Sequence, residues 1–202
     1  MLSHTRPKKK WIATAIFTAI AACQLSVISP EVSAQDFAIT LYGGRIVNSN
    51  HWTTSVQPGA SFLNSYIAVG ALSWTAKRFF DDALSLELEG QIAKTFGDQD
   101  NWEFNLPIVA LRWSRFPWGD CMATSIAWGV GPSYATEVPT VEKTINSTSA
   151  QWLVYWFAEL AFGPPKDNWA LVLRLHHRST AFGMMADSGG SDTLAAGIKF
   201  RF

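Results

Sequence analysis

Leu84-Ser85-Leu86-Glu87-Leu88-Glu89-Gly90-Gln91-Ile92-Ala93 alternates without a slip: leucines, glycine and isoleucine at even positions, mostly polar residues at odd ones. A period of two belongs to a β-strand, whose successive side chains point to opposite faces. Two carboxylates on one face and an aliphatic row on the other make this strand a boundary between a polar space and an apolar one. The last residues repeat the pattern, with Leu194, Ala196, Ile198, Phe200 and Phe202 opposing Lys199 and Arg201. The alternation, broken by turn residues, predicts eight strands at roughly 36–46, 65–79, 83–95, 102–116, 120–134, 150–162, 168–179 and 192–202. No helical stripe is visible after residue 35.

Two features choose between a soluble sandwich and a membrane barrel. Strands of about eleven residues exceed the ~5–6 usual in soluble sheets and match the ~9–11 that cross a bilayer on a tilt. The connections also alternate: those after the second, fourth and sixth strands are short, whereas those after the first, fifth and seventh are long and polar, as between the periplasmic and outer ends of a transmembrane barrel. The fold expected is therefore all-β, an eight-stranded antiparallel transmembrane β-barrel. Because a lipid-facing Arg or Lys costs roughly 2–4 kcal/mol at the midplane, the charged rows go inside, where Lys199 and Arg201 can meet Glu87, Glu89 or Glu159. The fourth strand conflicts with this rule, since Trp102, Phe104, Leu106 and Ile108 are in phase with Arg112. Pro107 supplies a remedy, a bulge that shifts the register and turns Arg112 inward.

Composition agrees. The chain is 48% hydrophobic and only 16% charged, and its sixteen basic and sixteen acidic residues leave no basic field for nucleic acid. Ten tryptophans are abundant for 202 residues. Trp52, Trp102 and Trp152 fall near the outer strand ends, and Trp113, Trp118 and Trp169 near the inner turns, as two interfacial girdles require. At the N-terminus, Arg6 and Lys8-Lys9-Lys10 precede an apolar stretch from Trp11 that fades by Ser29, and Val32-Ser33-Ala34 follows. This is the layout of a signal peptide, so residues 1–34 are read as a cleaved leader and 35–202 as the barrel. Cleavage leaves 12 basic against 15 acidic residues. It also removes Cys23, which leaves Cys121 as a lone, small, packed residue. The localisation expected is the outer membrane.

The seventh strand contains the one anomaly in the outward coat. In Leu171-Val172-Leu173-Arg174-Leu175-His176-His177-Arg178-Ser179, alternation sends Val172, Arg174, His176 and Arg178 inside and places Leu171, Leu173, Leu175, His177 and Ser179 outside. Two outward residues separated by one lie ~6.6–6.8 Å apart along the strand, so an imidazole and a hydroxyl there can lean together.

His177-Arg178-Ser179 on the penultimate strand, the short interval to a final strand, the leader and the strand count together resemble the outer-membrane lipid A 3-O-deacylases and the acyloxyacyl-hydrolase-related barrels. The resemblance covers the mature chain in architecture and is specific over about 170–202. It implies an esterase that removes a 3-O-linked fatty acyl chain from lipid A of lipopolysaccharide, without metal or cofactor. Ser179 would be the nucleophile, His177 its base, and an acidic residue on the last strand would complete the triad. Asp192 has outward parity and fills that place; Asp187, in the loop before it, is a weaker candidate. The family more usually has Glu there, and it follows the Ser with Asn where this chain has Thr180. The partner implied is lipid A in the outer leaflet, with homodimerisation left open. The competing expectation is a catalytically silent barrel that acts through its outer loops. A lipid A palmitoyltransferase is disfavoured, because Asp36 enters the first strand with no amphipathic helix before it.

Overall fold

A computed structural model describes residues 36–49 and 51–202; the leader assigned to 1–34 lies outside the described residues. Nine strands form one antiparallel sheet: β1 (Phe37–Val47), β2 (Phe62–Phe79), β3 (Leu84–Gly97), β4 (Asn101–Asn105), β5 (Val109–Trp113), β6 (Ala123–Ala135), β7 (Trp152–Gly163), β8 (Trp169–Ser179) and β9 (Gly190–Arg201). The first strand pairs with both β2 and β9, which closes the ring and removes the exposed edges that an open sheet would present. β4 and β5 are two halves of a single staves-worth of sheet, since both lie between β3 and β6. The barrel therefore has eight positions, as expected.

The break between β4 and β5 is the bulge anticipated at Pro107. Leu106, Ile108 and Val109 are exposed outward, whereas Pro107, Ala110 and Arg112 are buried, so the phase shifts by one residue between Ile108 and Val109. The Pro107 carbonyl accepts from Glu89 N at 3.0 Å, and Leu106 N donates to the Pro132 carbonyl at 3.0 Å. Gly131 is required opposite: a Cβ there would lie 1.9 Å from the Leu106 carbonyl oxygen.

Inside, the charges are paired. Glu159 receives Arg112 Nη1 at 2.9 Å, Lys199 Nζ at 2.6 Å and the Arg174 guanidinium; Arg174 also reaches Glu89 at 2.7 Å and Arg112 reaches Glu87 at 2.8 Å. Toward the outer end, His176 Nε2 meets Glu103 at 2.8 Å and Arg178 meets Glu142 at 2.7 Å. Glu142 belongs to a short helix that the sequence did not announce. Two such helices lie in the outer loops, α1 (Trp52–Ser55) and α2 (Thr140–Asn146). Neither has an apolar stripe; α2 is tethered by the inward ion pair of Glu142, and α1 by contacts described below. Outside, the strands present Ile39, Leu72, Ile92, Leu111, Ile126, Leu171 and Leu173, all exposed, a continuous apolar coat that a bilayer solvates and water does not. Trp102 and Trp152 stand exposed at one end and Trp113 at the other.

Candidate functional site

Antiparallel register assembles the site. His177 of β8 lies directly opposite Asp192 of β9 on one side and Trp156 of β7 on the other. Directly opposed side chains have Cβ atoms ~4.5–5.5 Å apart, a span that an aspartate and an imidazole close between them. His177 Nδ1 and Asp192 Oδ1 are hydrogen-bonded. The shorter carboxylate is therefore long enough here, because register and not side-chain length brings it to the histidine.

Asp192 faces outward, yet only 1% of it is exposed. The cover is α1. Its last residue, Ser55, is fully buried and donates from Oγ to Asp192 Oδ2 at 2.6 Å. The helix is started by His51, whose side chain accepts from Thr53 N, and Trp52 sets its edge against Trp156 with ring centroids 6.0 Å apart. Trp156 in turn lies 4.4 Å from the His177 ring. The chain Trp52–Trp156–His177–Asp192–Ser55 thus holds the imidazole from both neighbouring strands, β7 and β9. A carboxylate desolvated in this way is tolerable only because both oxygens are engaged.

With Asp192 on Nδ1, the tautomer with its proton on Nδ1 is favoured and the Nε2 lone pair is left to accept. Ser179, two residues along the same row and paired with Val154 and Gly190, lines the same groove of about 590 Å³ as His177 and Asp192. Among the described residues neither Ser179 Oγ nor His177 Nε2 makes a hydrogen bond, so both are available to a bound molecule. The groove is walled by Trp128, Val130, Val154 and Trp156, which face the lipid side of β6 and β7. Thr180 and Asp187 also line it. Thr180 Oγ1 accepts from Gly183 N at 3.3 Å and keeps its own proton to donate. Asp187 reaches neither His177 nor Ser179 by a hydrogen bond.

Of the three residues singled out in the sequence, the fold joins His177 to Asp192 and sets Ser179 beside them. Ser55 and α1 escape sequence reading because Ser55 and Asp192 are 137 positions apart. Only the odd Trp52 in a polar loop hinted that this segment returns to the barrel wall. No group of three or more His, Cys, Asp or Glu among the described residues is placed to hold a metal.

A closed barrel with an apolar exterior, an ion-paired interior and a His–Asp pair on its lipid-facing flank defines the class: a small outer-membrane β-barrel with a polar site in its coat. Two solved structures share this architecture. The outer membrane enzyme PagL superposes with a TM-score of 0.60 at 12% identity, over 82% of this chain and 99% of PagL. Neisserial surface protein A superposes with a TM-score of 0.51 at 9% identity, over 85% of this chain and 100% of that protein. No family model and no curated protein sequence matches the chain.

Proposed function

We propose that this barrel is an outer-membrane esterase that removes an ester-linked fatty acyl chain, at the 3-O position, from lipid A of lipopolysaccharide. The observation that carries the reading is the buried His177–Asp192 pair on the lipid side of the wall, with an unengaged serine hydroxyl one outward position away. Ser179 Oγ attacks the ester carbonyl while His177 Nε2 takes its proton, forming a tetrahedral oxyanion. Collapse breaks the bond to the sugar oxygen, and His177 returns the proton to that leaving alkoxide. Water, deprotonated by the same imidazole, then releases the fatty acid and restores Ser179. Asp192 holds the Nδ1 proton throughout and stabilises the imidazolium. Thr180 Oγ1–H and a backbone N–H of the 180–183 turn are the donors nearest to hand for the oxyanion, the role that Asn fills in the deacylases this chain resembles.

Support also comes from the position of the groove. Its walls are lipid-facing side chains, so an acyl chain reaches Ser179 from the bilayer itself and needs no interior pocket. The test is mass spectrometry of lipid A from cells producing the wild-type chain or Ser179→Ala. Loss of one hydroxy-acyl chain with the wild type alone is expected. Identical spectra, with both proteins folded in the outer membrane, would leave the alternative of a silent surface barrel.

A further inference from the structure

The loop joining β8 to β9 exposes side chains that water does not favour. Residues 180–186, Thr-Ala-Phe-Gly-Met-Met-Ala, include no charge. Phe182 is fully exposed at 106% of its reference area, Met184 is 79% exposed and Met185 43%. The backbone enforces this. Ala181, Phe182 and Gly183 have φ of 51°, 59° and 86°, a left-handed run that only the glycine adopts freely. Hydrogen bonds from Met184 N to the Ala181 carbonyl at 3.3 Å and from Met185 N to the Thr180 carbonyl at 3.1 Å fix the turn. Strain of this kind persists where the surroundings or a function demand it, and here it holds an aromatic ring away from the protein.

The direction is given by the groove. Phe182 shares it with Trp128, Val130, Val154 and Trp156, all on the outward face of β6 and β7, so the tip lies at the lipid-facing flank of the rim. Its apolar surface is continuous with the coat already facing the bilayer. We propose that this tip is a lipid-docking element: Phe182 and Met184 enter the outer leaflet beside Ser179 and engage the acyl chains of lipopolysaccharide. The inference holds equally for an esterase and for a silent barrel, because it depends on the loop's surface and not on catalysis.

The experiment is photo-crosslinking in intact cells with p-benzoylphenylalanine replacing Phe182, and in parallel Leu173, which faces the bilayer, and Phe157, which is fully buried inside. Folded protein is isolated and probed for covalently attached lipopolysaccharide. Adducts at 182 and 173, and none at 157, are expected. An adduct at 173 with none at 182 overturns the proposal, as does a 182 product that is a dimer of this chain in place of a lipid adduct. Neither readout requires activity, so failure of the esterase reading and failure of this one are separable.

Discussion

Replacing Asp192 with Asn alters the site's chemistry while nearly preserving its shape. The aspartate engages Oδ1 with His177 and Oδ2 with Ser55, and it is 1% exposed, so no water or neighbouring carboxylate can substitute for it. In Asp192→Asn, the Ser55 hydroxyl still has a carbonyl oxygen to donate to, and the amide NH₂ then points at His177 Nδ1. That NH₂ is a donor, so the imidazole must present Nδ1 as an acceptor and move its proton to Nε2. The nitrogen meant to take the Ser179 proton is then already occupied. The same tautomer trap lowers turnover about 10⁴-fold in the serine-protease triad, about 5.4 kcal/mol at 1.36 kcal/mol per decade. A loss on the order of 10³–10⁴ in the rate of fatty-acid release is therefore expected, with the folded yield retained. The assay is a time course of acyl release from purified lipopolysaccharide in detergent micelles, followed by mass spectrometry. A loss smaller than about tenfold would refute the assignment of Asp192 as the orienting acid, and a variant that fails to fold would show that the carboxylate is chiefly structural.

Other consequences are independent of catalysis. Glu159→Ala leaves the buried Lys199 without its carboxylate and takes one of two carboxylate partners from Arg112 and from Arg174, and is expected to destabilise the barrel by about 3–5 kcal/mol, read as a lower urea midpoint for unfolding from lipid vesicles. Gly131→Ala puts a methyl 1.9 Å from the Leu106 carbonyl and should disrupt the bulge, visible as a fall in the fraction that migrates as folded barrel in unheated gels; wild-type behaviour would show that the wall is free to shift there. Ser55→Ala removes one of two side-chain hydrogen bonds to Asp192 and is expected to slow acyl release by about tenfold or more, in line with ~1.5–3 kcal/mol for a hydrogen bond to a charged group. Intact-mass measurement of protein extracted from outer membranes should give a chain beginning at Gln35.

Much of the fold was legible because a barrel wall imposes a strict code. Each strand separates lipid from a polar interior, and any residue on the wrong face is expensive, so parity alone sorts Glu87, Glu89, Arg174 and Lys199 inward. The conflict between Arg112 and its neighbours was itself informative, since it located the bulge at Pro107. The helices were illegible for the opposite reason. Four and seven residues are too few to display a stripe, and what holds them is tertiary: Glu142 on Arg178, Ser55 on Asp192. The site was half legible. His177 and Ser179 are conspicuous as polar residues in a leucine row, and parity pointed to Asp192, but parity cannot announce that a loop folds back to bury that carboxylate.

That burial bears on the choice between an esterase and a silent barrel more than the fold does. PagL and Neisserial surface protein A share this architecture, so a closed eight-position ring is compatible with an enzyme and with a surface protein alike. A barrel that merely spans the membrane gains nothing from an aspartate in its outward coat. Leucine there would pack against α1 at no desolvation cost, and a histidine opposite would then have no partner. Instead the chain buries a carboxylate, pairs it with an imidazole, ties it to a serine from a distant loop and sets a tryptophan ring against the imidazole. Each of these contacts restricts the orientation of one side chain, His177, and leaves its far nitrogen unengaged and next to Ser179. Interior ion pairs such as Arg174–Glu89 stabilise the wall they belong to, whereas this outward pair anchors α1 and orients the imidazole. Under the proposed esterase, that cost is offset because the imidazole is held ready for an ester that arrives from the lipid.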